Sequence, residues 1–185
     1  NPNQYYSVWE QKYTLPYGHD IFDLDISPDG TKLSAAVADY FGNQYLNIYD
    51  LASIDNVDKE NIKFDEVFNF EVASPQTFKF TDDGKFLIGS SFYSGVSNIF
   101  RVNVENLEIE VMSNAITGYF RPIQIDSDRM FCFRYTSDGF APVTVPNSPV
   151  DNVSSIEFLG KADHNFLDLY ISAIRYLSFF NLNIL

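Results

Sequence analysis

The chain has 185 residues, enough for one substantial domain, and its 45% hydrophobic content argues against general disorder. With 25 acidic and 12 basic side chains the net charge is −13, so we expect repulsion from nucleic-acid phosphates and anionic membrane surfaces. The 18 Phe and 12 Tyr residues favour sheet over helix, because aromatic side chains suit half-buried pleated surfaces. The composition therefore predicts an all-β protein with no nucleic-acid partner.

A hairpin pattern recurs three times along the chain. In each copy an alternating apolar run meets a four-residue turn and then a second apolar run. The first runs are 22–26, 77–80 and 123–125, the turns are 27–30, 81–84 and 126–129, and the second runs are 32–38, 85–91 and 130–135. Pro28 suits the first central position of a tight turn, and Gly30 and Gly84 can take a positive φ. The third copy has Arg129 at this position, so we expect a different or more strained turn there.

Further strands follow each hairpin. Third strands are predicted at 45–49, 98–104 and 140–145, and fourth strands at 64–72 and 107–112. The longer first copy contains a charged segment, Ile54 to Lys63, which we interpret as a solvated loop inserted between strands. Four antiparallel strands in a unit of about 40–50 residues are typical of a propeller blade.

The two ends of the chain differ from the repeats. Residues 1–17 suit a strand of an adjacent blade or a closing strand. Residues 147–185 read as a linker and an apolar tail, in which apolar residues recur at helical spacing from Phe166 onward. Asp168 and Arg175 interrupt the tail, so we expect a docked C-terminal helix and not a membrane span. Because the chain begins at Asn1 without Met, it suggests a processed or truncated product.

The repeats resemble those of a known family. The stretch Ile26 to Leu33, followed by Gly42-Asn43 and by Leu46 to Leu51, resembles the TolB-type, WD-like propeller repeat. The second copy, Phe80 to Leu87 and then Asn98 to Val102, is similar to it throughout. The resemblance covers residues 18–146 and implies three blades, at about 18–73, 74–117 and 118–146. Since propellers typically need four to eight blades, we expect an incomplete propeller.

The reactive side chains of the sequence form no catalytic or metal-binding pattern. His19 and His164 have no companions at metal-ligand spacing, and Gly89-Ser90-Ser91-Phe92 lacks the second Gly of a nucleophile elbow. Cys132 lies in a predicted strand and is expected to pack as a small hydrophobe. We therefore predict no catalytic residues, no cofactor and no metal.

The acidic turns are the remaining candidates for a calcium site. Asp82-Asp83 and Asp126 to Asp128 place carboxylates on turns, but hydrogen bonds from these side chains to the turn backbone explain the residue types without an ion. The loops of a propeller instead suggest an interaction rim. We place it at Tyr40, Phe41, Asp82, Asp83 and Tyr93.

The expected function follows from architecture alone. We expect a non-enzymatic scaffold or protein-interaction domain of a larger TolB-like envelope protein in a periplasmic or otherwise extracytoplasmic compartment. Its partner would be another protein or the remainder of the parent chain, with self-association through open blade faces as a further route. The alternative is the gating propeller of a larger serine peptidase whose catalytic domain is absent.

Overall fold

The computed structural model describes residues 14–56 and 64–151, which form three antiparallel sheets and one short helix. We call the sheets blades 1, 2 and 3. Blade 1 contains β1 (Asp20–Ile26), β2 (Lys32–Ala38), β3 (Gln44–Asp50) and β4 (Phe64–Asn69), with α1 (Leu51–Asn56) between its last two strands. Blade 2 contains β5 (Pro75–Phe80), β6 (Phe86–Ser91), β7 (Asn98–Asn103) and β8 (Ile109–Val111). Blade 3 contains β9 (Tyr119–Gln124), β10 (Arg129–Thr136) and β11 (Gly139–Pro146). Each blade is a meander in chain order.

The predicted all-β antiparallel class is confirmed, but both fourth strands are shorter than expected. Strand β4 stops at Asn69 because the Asn69 side chain accepts a hydrogen bond from the Glu71 amide, at 2.7 Å. Glu71 then takes a left-handed φ of 54°, which ends the extended backbone. Leu107, with φ 61°, delays the start of β8 in the same way.

The segment expected to be a loop from Ile54 onward begins instead within helix α1. The prediction was wrong at Ile54–Asn56 because Asp50 caps the helix, its carboxylate accepting a hydrogen bond from the Ala52 amide at 2.9 Å. Residues 57–63 lie outside the described residues. So do most of the predicted N-terminal strand, His164 and the predicted C-terminal helix.

The hairpin turns of blades 1 and 2 share one hydrogen-bond pattern. In blade 2 the Asp83 carboxylate accepts hydrogen bonds from the Thr81 hydroxyl (2.6 Å) and the Lys85 amide (3.1 Å). Gly84 follows with φ 70°, as Gly30 does in blade 1 with φ 72°. Asp29 accepts the equivalent hydrogen bonds in blade 1, from the Ser27 hydroxyl (2.6 Å) and the Thr31 amide (3.0 Å), so a carboxylate stabilises each turn.

The third turn is closed by a different set of hydrogen bonds, and a different turn was predicted there from Arg129. The Asp126 carboxylate accepts hydrogen bonds from the Asp128 and Arg129 amides and from the Arg129 guanidinium, at 2.6 Å from Nη2. Arg129 is already the first residue of β10, so it does not need the left-handed conformation of its glycine counterparts.

Blades 1 and 2 meet in an aromatic core centred on Phe70. The Phe70 ring lies edge-on to Phe68 (4.8 Å between centroids) and to Phe100 (5.7 Å), and it is tilted against Phe78. Aliphatic side chains from both blades complete this core: Leu46, Ile48, Leu87, Val102 and Val104. Burial of this apolar surface holds the two blades face to face.

Blades 2 and 3 meet in a second core built around Met130 and Cys132, which pack against Ile88, Ile99 and Met112. Because side chains alternate along a strand, the odd-numbered residues of β10 point away from blade 2. In the pairing of β9 with β10, Ile123 lies opposite Phe131, one of these odd-numbered residues, and so shares this open face. Blade 3 therefore carries an apolar face that no described blade covers.

In the described ranges, 14–56 and 64–151, no helix has the length and apolar character needed to cross a membrane.

We predict that Gly89→Ala destabilises the fold by about 1–3 kcal/mol, the usual range for overpacking a core. A methyl group at Gly89 would lie 2.7 Å from Cε2 of the buried Phe78 ring and closer still to Cδ2, so the ring must move. The neighbouring Ser90→Ala is the control. The Ser90 hydroxyl is buried and has no hydrogen-bond partner among the described residues, so its removal should cost little. Urea unfolding measures both variants. Equal midpoints for Gly89→Ala and the parent chain would contradict this packing.

Candidate functional site

A β-bulge interrupts the innermost strand of every blade at the same place. The register of β1 slips at Asp23, that of β5 after Gln76, and that of β9 between Phe120 and Ile123. One residue in each bulge takes a left-handed φ without being glycine: Asp23 (51°), Thr77 (54°) and Arg121 (52°). Such a conformation is strained, most of all for β-branched Thr77, and strain of this kind clusters at ligand sites.

The three bulges converge on one cleft, which we call the inner-strand cleft. Its volume is about 620 Å3, within the range of small-ligand sites. Two equivalent positions of each inner strand line it, the bulge residue and the residue before it: Phe22, Asp23, Gln76, Thr77, Phe120 and Arg121. Ser74, Phe133 and Phe140 complete the lining. Bulges change the direction of side chains along a strand, and here both residues of each pair border the cleft.

Carboxylates of β1 fix the seam between blades 1 and 2. Asp23 accepts a hydrogen bond from the Thr77 amide at 2.9 Å, and Asp25 accepts one from the Phe80 amide at 2.8 Å. Lys79 donates to the Leu24 carbonyl at 2.8 Å and lies 3.3 Å from Asp25. The inner edge of β5 is thus satisfied by the preceding blade.

The seam between blades 2 and 3 lacks this arrangement. The residue equivalent to Asp23 is Thr77, whose hydroxyl oxygen is buried and has no hydrogen-bond partner in the part of the chain that the structure describes. The residue equivalent to Thr77 is Arg121, whose guanidinium makes no ion pair with any described carboxylate. The side of the cleft nearest blade 3 therefore carries a cation that forms no ion pair with a described residue.

Aromatic rings form the apolar wall of the cleft. The Phe120 ring lies edge-on to Phe140, with 5.2 Å between centroids, and also contacts Phe92 at 5.8 Å. Phe140 in turn contacts Tyr135 and remains 60% exposed. Such exposed rings at a cleft can pack against a ligand.

The structure does not bring the five predicted rim residues together. Successive turns of an antiparallel sheet lie at opposite ends, so the β2–β3 and β6–β7 turns lie at one end of the blades and the β5–β6 turn at the other. Tyr40, Phe41 and Tyr93 are on the first end, where the inner strands begin. Asp82 and Asp83 are on the second.

These residues also differ in their contacts. Phe41 is 85% exposed, and Tyr40 packs edge-on against it and over Gly18. Tyr93 instead packs against Phe68 (5.1 Å) and Phe70, so part of its ring belongs to the core between blades 1 and 2.

The acidic turns lie at a second cavity, of about 480 Å3, which Asp82, Asp83 and Asp126 line. The Asp83 and Asp126 carboxylates are occupied by the turn hydrogen bonds described above. Among residues 14–56 and 64–151, no three acidic, His or Cys side chains form a group that could hold a metal.

Cys132 is fully buried, and burial raises the pKa of its thiol to about 11. The thiol is therefore protonated at neutral pH, which is unsuitable for a nucleophile. The structure places Ser90 inside β6, with its side chain buried.

The inner-strand cleft was missed by the sequence analysis. Bulges leave no mark in an alternating apolar pattern, and Phe133 and Phe140 read simply as strand residues. An alignment of the three repeats on their turns places Asp23 and Thr77 at one position but Pro122 there in the third copy, because the third turn is one residue shorter. The equivalence of Arg121 with Asp23 and Thr77 therefore becomes visible only in the structure.

No family model and no curated protein matches the chain. Among solved structures, it is similar to the putative TolB from Agrobacterium tumefaciens (17% identity, TM-score 0.51), over 66% of this chain and 41% of that one. It is also similar to TolB from Acinetobacter baumannii (17%, TM-score 0.52), over 74% and 34% of the two chains. A mutant puromycin hydrolase complexed with PGG gives 11% identity and a TM-score of 0.51, over 70% and 22%.

The chain thus spans less than half the length of each of these structures. At such identities the likeness shows the fold alone. The three described sheets have the fold of TolB-like β-propeller blades, and within the described residues they form the predicted incomplete propeller, since closed rings use four to eight blades.

We predict that Asp83→Asn lowers the free energy of unfolding at neutral pH and that this loss shrinks in acid. The hydrogen bond from the Thr81 hydroxyl, with that from the Lys85 amide, lowers the pKa of the Asp83 carboxyl below its usual 3.8. A carboxylate whose pKa falls on folding stabilises the fold above the unfolded pKa, and that contribution is lost as the pH falls through the folded pKa. Urea unfolding at pH 7 and at about pH 2.5 measures the difference.

The matched control is Asp82→Asn, one residue away. The Asp82 side chain makes no hydrogen bond within the described residues and is exposed, so this variant should match the parent chain at both pH values. Equal losses for the two variants would contradict the role given to Asp83.

Proposed function

We propose that the chain is a non-enzymatic protein-interaction domain of a larger propeller-containing protein and that the inner-strand cleft is its binding surface. The observation that carries the proposal is the convergence of three strained bulges on one open, aromatic-walled cleft. Strain of this kind is expected where it positions side chains for a ligand. No described nucleophile and base are paired there, and the lining side chains are suited to binding.

We further propose an extracytoplasmic, periplasmic location within an envelope protein. The support is the likeness to the two TolB propellers, and fractionation of cells that express the parent gene tests it. The five predicted rim residues remain a second proposed contact surface, now divided between two ends of the blades.

The second candidate is the gating propeller of a larger serine peptidase. The observation that favours it is the likeness to a puromycin hydrolase, at a TM-score of 0.51. The parent reading frame separates the two proposals. An α/β-hydrolase pattern beside these blades would favour the peptidase, and its absence from the complete reading frame would favour the interaction domain.

We expect photo-crosslinking to locate the partner at the cleft. Benzoylphenylalanine is placed at Phe140, whose ring lines the cleft, at exposed Phe41 in the β2–β3 turn, or at Glu105 as an exposed background position. The parent protein is expressed at its natural level in its own cells, and adducts are identified by mass spectrometry. A single partner adduct at Phe140, absent at Glu105, is the expected result. An adduct only at Phe41 would indicate that the partner binds the β2–β3 turn and not the cleft. No adduct at either position would contradict the proposal.

We expect the isolated chain to self-associate through the open face of blade 3. Ile123 is 62% exposed there, and Ile125 and Tyr135 are half exposed, a surface that a neighbouring blade would bury. Sedimentation velocity should show that the average molecular mass rises with protein concentration. Ile123→Lys should raise the fraction of monomer at each concentration, because it introduces a charge into the contact. Val72→Lys, at an exposed apolar residue beyond β4, is the control. A monomer at all concentrations that binds no hydrophobic dye would contradict the expectation.

A further inference from the structure

The three equivalent bulge residues that line the cleft differ in charge. It is an anion in blade 1 (Asp23), a neutral hydroxyl in blade 2 (Thr77) and a cation in blade 3 (Arg121). In blade 1 the side chain has a structural task, because it accepts the amide of Thr77. In blade 3 no described group gives the side chain such a task. The Asp23 carboxylate is held by the blade that follows its own, and no described blade follows blade 3, so Arg121 borders the cleft without such a partner among the described residues.

Arg121 is suited to recognise an anion. Its guanidinium is always charged and presents donors that match both oxygens of a carboxylate. Two of the described arginines have an acidic partner: Arg101 meets Glu110 at 2.7 Å, and Arg129 meets Asp126 at 2.6 Å. Arg121 and Arg134 have no ion-pair partner among the described residues, and of these two Arg121 lines the cleft.

The surroundings of Arg121 define the rest of the ligand. Phe22, Phe120, Phe133 and Phe140 line the same cleft beside polar residues such as Ser74 and Gln76, so an apolar group attached to the anion has rings to pack against. The Thr77 hydroxyl oxygen is buried, and it could reach a ligand only after its side chain rotates. Recognition of the ligand's negative charge therefore depends on Arg121, and recognition of its apolar group depends on the phenylalanine rings.

We propose that the inner-strand cleft binds a carboxylate carried on an apolar group, with Arg121 pairing with the carboxylate and the phenylalanine rings packing against the apolar group. The C-terminus of a peptide that ends in an apolar residue has this chemistry, and so does a free aromatic acid. The inference rests on the proposed function and names the ligand class of the same cleft.

The test uses the full chain and three probes. The first is a short peptide ending in Gly-Phe with a free carboxylate, the second is the same peptide with a C-terminal amide, and the third is 3-phenylpropionate. Isothermal titration calorimetry measures each affinity. We expect the free-acid peptide to bind at least about tenfold more tightly than the amide, since hydrogen bonds to charged groups contribute that much or more. Added salt should reduce this ratio.

Four variants assign the binding effect to particular residues. Arg121→Gln should abolish the preference for the free acid, and Arg121→Lys should retain part of it, because a point charge replaces a bidentate donor. Arg134→Gln removes the same charge from an exposed residue of β10 that does not line the cleft, so it should keep the full preference. Thermal unfolding of each variant shows whether the fold is intact, and Phe140→Ala, at a largely exposed ring, should weaken acid and amide alike.

Each outcome decides the proposal. Equal affinity for acid and amide, an unchanged preference in a folded Arg121→Gln variant, or no binding of any probe at millimolar concentration would overturn it. If 3-phenylpropionate binds as tightly as the peptide acid, the proposal holds and the ligand is a small acid. If the peptide acid is preferred, the ligand is a peptide terminus. A partner adduct at Phe140 together with failure of all three probes would leave the proposed function standing and reject this ligand class.

Discussion

The structure depends on burial of one blade face against the next. A single four-stranded blade has two faces and cannot bury both by itself, so each blade is stable only with a neighbour. Phe70 shows how this works, because it lies just after the last strand of blade 1 and fills the space above Phe78 and Phe100 of blade 2. Gly89 is required for the same reason, since Phe78 occupies the place of any side chain there. The cleft exists because these cores hold three inner strands side by side.

The two seams between inner strands differ in how polar groups are satisfied. At the first seam, carboxylates of β1 accept the amides of β5 and close the edge. At the second, the equivalent positions are Thr77 and Lys79, and Lys79 is already held by blade 1. The carboxylate arrangement of the first seam is therefore absent from the second, and the blade 3 side of the inner-strand cleft keeps polar groups that no described neighbour satisfies.

The sequence predicted what local chemistry determines. Gly30 and Gly84, with the aspartates before them, specify turns by hydrogen bonds between neighbouring residues, and these turns were found where expected. The third turn was rightly expected to differ at Arg129. The ends of β4 and the cap at Asp50 were missed, because one side-chain hydrogen bond decides between a strand, a loop and a helix start. The rim was predicted as one surface because the alternation of turns between the two ends was not applied to each residue. The cleft could not be predicted, since it requires the relative placement of three blades that are distant in sequence.

The charge of the chain gives the cleft its selectivity. With 25 acidic side chains in the sequence, the field around the protein is negative and opposes the approach of anions in general. An anion that enters the cleft must therefore gain more from local contacts than it loses to this field. Arg121 alone cannot supply that gain at an exposed position, because water and salt screen a single charge pair. Apolar contact with Phe120 and Phe140 supplies the remainder and lowers the local dielectric around the pair. An acidic surface with one cation inside an aromatic cleft thus rejects hydrophilic anions and accepts those that bring an apolar body.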